Sequence, residues 1–214
     1  GYETAIEFKK NGVNPLILDT RKEPSSDIIS EAKNLGIEIK FSYVVVAAKG
    51  YKKVKSADIA KISDNKKDLS NIENIECDCI CVSGFWTPSI HLASQSGNKS
   101  EFNEKIDAFI PKKSKQKENT IGSANGKFTL EETINEAFDK GYEVSNKITE
   151  NNNKVSIPTV VEKKSTEHDK FWCVPLPKGK SYKRFLDFQN DVAVTDIELA
   201  LREGFRSIEH VKRY

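Results

Sequence analysis

Two backbone bends flank the stretch from Ser83 to Gly126, and they constrain the fold more than any other feature. An apolar strand ending at Val82 runs into Ser83-Gly84-Phe85-Trp86-Thr87-Pro88, where Gly84 and Pro88 set a turn. Phe109-Ile110-Pro111 then reads as a short strand or loop. A Lys-rich connection over 112–119 leads to a second bend of small residues, Gly122-Ser123-Ala124-Asn125-Gly126. A helix follows at once: Thr129 is a fitting N-cap, and Glu131 and Glu132 favour the positive end of the helix dipole. Gly141 is expected to close that helix at Lys140. A chain that twice goes from strand to glycine bend, and then to helix, is an α/β chain.

The first 82 residues have the same character. Residues 2–10 read as a helix stopped by Gly12, and Pro15–Asp19 as a buried parallel strand. Ser25 or Ser26 can cap a helix over 27–34, which Gly36 ends. Residues 37–41 alternate as a second strand. Tyr43–Ala48 and Val54–Ile62 read as strands joined through Lys49–Lys52, and 64–76 as a polar surface hairpin. This is the order of a nucleotide-binding module without its first strand and first phosphate loop. In an intact module the acid ending the second strand, here Asp19, binds a ribose hydroxyl, and Arg21 beside it can meet a phosphate. The alternative is a solvated strand end.

Cys77, Cys79 and Cys81 alternate, which on a strand puts them on one face. A straight strand spaces such sulfurs about 6–7 Å apart, too far to share a metal or a disulfide. Small buried hydrophobes are the expectation, with metal or redox use as the alternative. Cys173 stands alone. The cysteines show no disulfide framework, so a reducing cytoplasm is the expected setting. The formal net charge of +2 over 214 residues gives no electrostatic case for nucleic acid. No apolar run reaches the roughly 18–20 residues of a membrane helix.

Residues 150–170 read as a linker, rich in Asn and charge. An apolar, Pro-punctuated stretch at Phe171–Pro175 opens a new region. Residues 183–191 lead into a helix capped by Thr195 and ended by Gly204, and Ser207 caps another. The expected division is 1–82, an incomplete nucleotide-binding module; 83–149, a return segment; 150–170, the linker; and 171–214, the start of a small helical module.

Small residues at Gly122–Gly126 let a backbone approach a pyrophosphate or ribose, with Asn125 as a donor and Lys127 facing solvent. A tight loop is the plain alternative. Trp86 and Pro88 can wall an adenine or nicotinamide, or pack between domains. His91 reads as a core residue, and His168 and His210 as surface residues. Lys212, Arg213 and Tyr214 put two cations and a phenol at a helix end, able to reach a flavin phosphate or simply solvated. No nucleophile–histidine pairing, H-E-x-x-H or P-loop is present.

The wording of several blocks resembles one family, the large (alpha) subunit of heterotetrameric sarcosine oxidase. The blocks are Gly1–Ala5; Val82–Leu92 with Ser94–Gly97; Gly122–Phe128; Asp187–Val192; and Arg202–Tyr214. The resemblance implies an FAD/NAD-binding, disulfide-reductase-like two-domain flavoprotein, of which this chain is an internal fragment. It implies NAD held in this subunit, with Gly84, Trp86, Pro88 and Gly122–Gly126 on the dinucleotide side. It further implies FAD, FMN and tetrahydrofolate elsewhere in a complex with beta, gamma and delta subunits, and an activity that oxidises sarcosine, releases peroxide and passes on a folate-bound one-carbon unit. The last two blocks together, Asp187–Val192 and Arg202–Tyr214, also resemble helical modules that bind a [2Fe–2S] cluster through Cys-x-Cys. Here Asp187 and Gln189 stand at those positions, so a cluster-less relic is expected. A proline- or hydroxyproline-type dehydrogenase subunit and a non-catalytic scaffold are the alternatives.

Overall fold

A computed structural model describes the chain except residues 71, 85, 115, 150–155, 161–170, 178 and 180. Phe85, His168 and most of the expected linker therefore lie outside the described residues. The chain forms two compact units. One holds Gly1–Ile6, Pro24–Leu35 and Val82–Lys170; the other holds Glu7–Glu23, Gly36–Cys81 and Phe171–Tyr214.

The second unit is built on strands. β1 (Leu16–Asp19) and β2 (Glu38–Phe41) pair in parallel, as the apolar run ending in an acid predicts. β3 (Tyr43–Gly50), β4 (Val54–Lys61) and β5 (Glu73–Glu76) form an antiparallel three-stranded sheet with β4 in the centre. Ala57, Asp58, Ile59 and Ala60 are all buried on β4. Because side chains alternate along a strand, Ala57 and Ile59 take one face of the sheet and Asp58 and Ala60 the other.

The strand expected through the cysteines does not form. β5 ends at Glu76, and one further backbone bond, from Cys77 N–H to the Lys55 carbonyl at 3.1 Å, holds the chain to β4. After that the path is irregular. Cys79 and Cys81 are exposed, not buried, and their sulfurs lie 3.8 Å apart. Val82, expected to continue a buried strand, is 89% exposed. Polar Asp78 interrupts the apolar alternation, so a pleated path would gain little burial.

Residues 185–193 form a hairpin, β8 (Phe185–Asp187) with β9 (Val192–Ala193), where the sequence reading had a lead-in to a helix. α5 (Val194–Arg202) starts at once. Its entry is held by Asp196, whose carboxylate accepts the Ala193 N–H at 2.8 Å, and not by the expected Thr195 cap. α6 (Ile208–Arg213) follows Ser207, whose side chain makes no capping bond.

The first unit contains α2 (Asp27–Asn34), which buries Ile29 and Ala32, and the short α3 (His91–Gln95). Ser26 has extended cap geometry, but its hydroxyl makes no capping bond. Helix α1 (Tyr2–Lys10) runs from this unit into the second and is stopped by Gly12 in the left-handed region, as expected. β6 (Ser100–Asn103) and β7 (Ala108–Pro111) form a second hairpin not anticipated from the polar run at 101–105. The Phe102 and Phe109 rings meet edge-on across it, with centroids 5.3 Å apart.

A 3-10 turn over Gly122–Asn125 leads to α4 (Leu130–Thr149). Thr129 caps α4 as expected, its hydroxyl accepting the Glu132 N–H at 3.2 Å and donating to the Glu132 carboxylate at 2.9 Å. Gly141 does not end the helix. α4 continues two turns further, where Glu143 pairs with Lys140 and Lys147, each at 2.8 Å.

Candidate functional site

The small-residue bend is the best-formed of the expected site elements. Gly122 is buried, with φ +66°, and Gly126 closes the turn with φ +78°. A Cβ on Gly126 would lie 2.6 Å from Ile106 Cδ1 and 3.2 Å from Ile110 Cγ2. One on Gly122 would lie 3.0 Å from Thr133 Cγ2. The glycines are thus required by the packing of this bend against the β6–β7 hairpin and α4.

The donors of the bend are also engaged. Glu136, one helical turn beyond Thr133 on the face of α4 that meets the bend, reaches back to it. Its carboxylate accepts the Gly122 N–H and the Asn125 side-chain amide, each at 2.7 Å. A carboxylate on these groups occupies the place a phosphate oxygen would take, and carries the same sign of charge. As arranged, the bend does not fit a diphosphate unless Glu136 moves away. Ser123 is exposed and Ala124 half-buried. Glu136 was missed by the sequence reading. Its signal was an acid eleven positions after Asn125 on a helix already recognised.

The turn expected at Gly84 is not seen among the described residues: Ser83, Gly84 and 86–90 carry no turn or bend. Gly84 has no atom within 4 Å of an added Cβ, Trp86 is 74% exposed and Pro88 half-buried. Just before it, the Ser83 hydroxyl accepts from the Gly1 amino group at 3.1 Å. Among the described residues no hydrogen bond or ion pair joins residues 84–88 to the Gly122–Gly126 bend. His91 is exposed, not a core residue, with Nδ1 3.2 Å from the Ser89 hydroxyl.

Lys212, Arg213 and Tyr214 close the second unit. Both cations are exposed. Tyr214 packs on Phe205, with ring centroids 5.0 Å apart, and its hydroxyl bonds to Glu203, which pushes the phenol pKa up. The phenol is thus tied to the connection between α5 and α6 while its ring stays half exposed.

Asp19 and Arg21 face each other. Arg21 Nε donates to Asp19 Oδ1 at 3.0 Å and Nη2 to Oδ2 at 2.7 Å, while the Arg21 N–H also reaches Oδ1 at 2.9 Å. Both oxygens of the acid at the end of β1 are therefore already accepting bonds from Arg21.

The most enclosed polar cluster centres on Asp58, which the sequence reading did not single out. Its carboxylate takes Lys49 Nζ at 2.9 Å, Asn74 Nδ2 at 2.8 Å and the Tyr182 hydroxyl at 3.4 Å. Hydrogen bonding to Lys49 lowers the Asp58 pKa most; Asn74 and Tyr182 add to this, and burial opposes it. Tyr182 is 124 residues away in sequence, so no local pattern announces the cluster. Its geometry is that of a structural tie between the sheet and the C-terminal segment. Among the described residues no group of three or more His, Cys, Asp or Glu is placed to hold a metal ion, and no helix is long and apolar enough to cross a membrane.

Comparison with known proteins places the resemblance on firmer ground. Residues 181–214 match a family model described as the sarcosine oxidase A3 domain. The whole chain is 26% identical to sarcosine oxidase subunit alpha of Corynebacterium sp. (strain U-96), of which it covers 22%. It is 27% identical to the same subunit of Rhizobium meliloti (strain 1021), covering 20% of it, and 23% identical to that of Corynebacterium sp. (strain P-1), covering 22%. Sarcosine oxidase alpha subunits, which are oxidoreductase subunits, are therefore homologues of this chain from end to end. The chain spans about a fifth of the length of these curated relatives.

Proposed function

We propose that this chain is part of the alpha subunit of a sarcosine-oxidising flavoenzyme complex. The observation that carries the reading is the end-to-end similarity to sarcosine oxidase alpha subunits from three sources, joined to the A3-domain match at 181–214. In this reading the complex demethylates sarcosine oxidatively, and beta, gamma and delta subunits complete it. The present stretch contributes to the FAD/NAD-binding architecture of the subunit and to assembly. The test is to express the complete subunit that carries this sequence with its partner subunits and to measure oxygen uptake with sarcosine, proline and hydroxyproline. Turnover of sarcosine with matching peroxide supports the reading. Turnover of proline or hydroxyproline alone, or of none of the three, overturns it.

We further propose that NAD is housed by the complete subunit. The parallel β1–β2 pair supports this. The Glu136 carboxylate on Gly122 and Asn125 favours a second reading, a scaffold that keeps the architecture and holds no nucleotide. Calorimetry of the complete subunit with NAD separates the two. Tight binding supports NAD housing; no heat at millimolar NAD supports the scaffold and leaves the subunit assignment standing.

The hairpin at 185–193 carries Asp187 and Gln189, the positions that the resemblance aligns with the Cys-x-Cys of cluster-binding modules. Asp187 Oδ1 accepts the Gln189 N–H at 2.8 Å and Oδ2 the Asn190 side-chain amide at 2.6 Å. These bonds hold the Asp187 pKa down and close the loop internally. They support the reading of this region as a module that keeps its loop without a [2Fe–2S] cluster.

A further inference from the structure

Cys77 is the last residue of its segment tied to the sheet, and the chain then curls away from β4. The curl brings Cys79 Sγ to 3.8 Å from Cys81 Sγ, well inside the spacing of about 6–7 Å that a pleated strand imposes on alternate residues. Both thiols are free and exposed. Residues 78–82 have no regular secondary structure to hold the two sulfurs apart.

We propose that Cys79 and Cys81 are a redox-active dithiol that closes to a disulfide on meeting a hydroperoxide. In the first step the Cys81 thiolate attacks one peroxide oxygen. The O–O bond breaks, the sulfur loses two electrons to the peroxide, and the leaving hydroxide takes up a proton to give water. Cys81 is then a sulfenic acid. In the second step the Cys79 sulfur attacks Cys81, its thiol proton is lost, the S–O bond breaks, and a second water leaves. Two thiols and one hydrogen peroxide thus become one disulfide and two waters.

Either sulfur can donate in the 3.8 Å contact, so the two can exchange the attacking and resolving roles. The Cys79 pKa is pushed up, chiefly by its hydrogen bond with Cys81. Closing the bond means drawing the sulfurs from 3.8 Å to about 2.05 Å. A segment without strand pairing can move that far. The ring encloses a single intervening residue, so it removes little chain entropy from the unfolded state. Exposed bridges of this kind are reducible and regulatory rather than structural.

The experiment uses the full reduced chain and hydrogen peroxide at roughly equimolar concentration, a thiol-trapping quench with N-ethylmaleimide, and peptide mass spectrometry. The expected result is that Cys79 and Cys81 lose their labels together, with fragmentation placing the link between them. Dithiothreitol restores both. Retention of both labels, a link through Cys77, or oxidation that stops as a sulfinic acid on one thiol would overturn the proposal. Two exposed-site variants test the pair. Cys79→Ser should accumulate a dimedone-trappable sulfenic acid at Cys81, and Cys81→Ser one at Cys79, because each has lost its resolving thiol. A disulfide that still closes within either variant chain refutes the pairing.

Discussion

Asp58 is 1% exposed at the centre of a three-stranded sheet, and it persists as a carboxylate because three donors converge on it. Lys49 keeps half of its own side chain in water, so its desolvation is partial. Asn74 sits directly across from Asp58 in the β4–β5 register. Replacing Asp58 with alanine takes the acceptor away from the Lys49 ammonium, the Asn74 amide and the Tyr182 hydroxyl. The expected cost is about 3 kcal/mol, read as a lower urea midpoint with an unchanged slope. A loss below roughly 0.5 kcal/mol would mean that water already serves these groups. Gly126 gives an independent check on the bend. Gly126→Ala puts a methyl into Ile106 and Ile110 at a positive φ, and the expected loss is about 1–3 kcal/mol. A neutral result would show that the bend yields, leaving room for a ligand that the present packing excludes.

Elements were legible in the sequence where a local pattern decides them. α1, α2 and the β1–β2 pair follow from apolar spacing and glycine stops, and the structure agrees. Of the β6–β7 hairpin only the second strand was legible, at Phe109–Pro111; β6 and the β8–β9 hairpin were not, because polar outer residues hide the alternation and the pairing is settled by contacts such as Phe102 on Phe109. The reach of Glu136 to Gly122 and Asn125, and that of Tyr182 to Asp58, depend on tertiary placement and have no sequence period. Gly141 is the instructive error. A glycine stop was expected, yet the flanking residues sustain the helix, with Glu143 between two lysines and its pKa lowered to about 2. Gly141 therefore lies in a helix interior, where glycine costs roughly 0.5–1 kcal/mol relative to alanine. An added Cβ there meets no atom within 4 Å. Gly141→Ala should thus stabilise the protein by about that amount, measured by thermal or urea unfolding and by helical circular dichroism. A destabilised variant would show that α4 does end near Lys140.

Acid response belongs to the molecule as a whole, since carboxylates in both units are held below their ordinary pKa. In the second unit Lys49 lowers Asp58, Lys40 and then Tyr43 lower Glu73, and Asn190 and the Gln189 backbone lower Asp187. In the first unit Ser96 and Ser114 lower Glu118, and Lys140 and Lys147 lower Glu143. A depressed carboxylate binds its proton more readily when unfolded, so each contributes stability that is complete above its unfolded pKa of about 3.9–4.3. That contribution drains away as pH falls through this range toward the folded value. The exposed pairs are screened by water and salt and count for little. Most of the pH dependence should therefore come from Asp58, the enclosed member of the set. Urea midpoints measured from pH 6 down to pH 3 should fall, and Asp58→Asn should start lower but fall less steeply, because an amide has no proton to gain. Added salt should leave most of the slope intact in the parent chain. If the variant and the parent instead lose stability in parallel, the exposed carboxylates carry the acid sensitivity and the Asp58 cluster is solvated in solution.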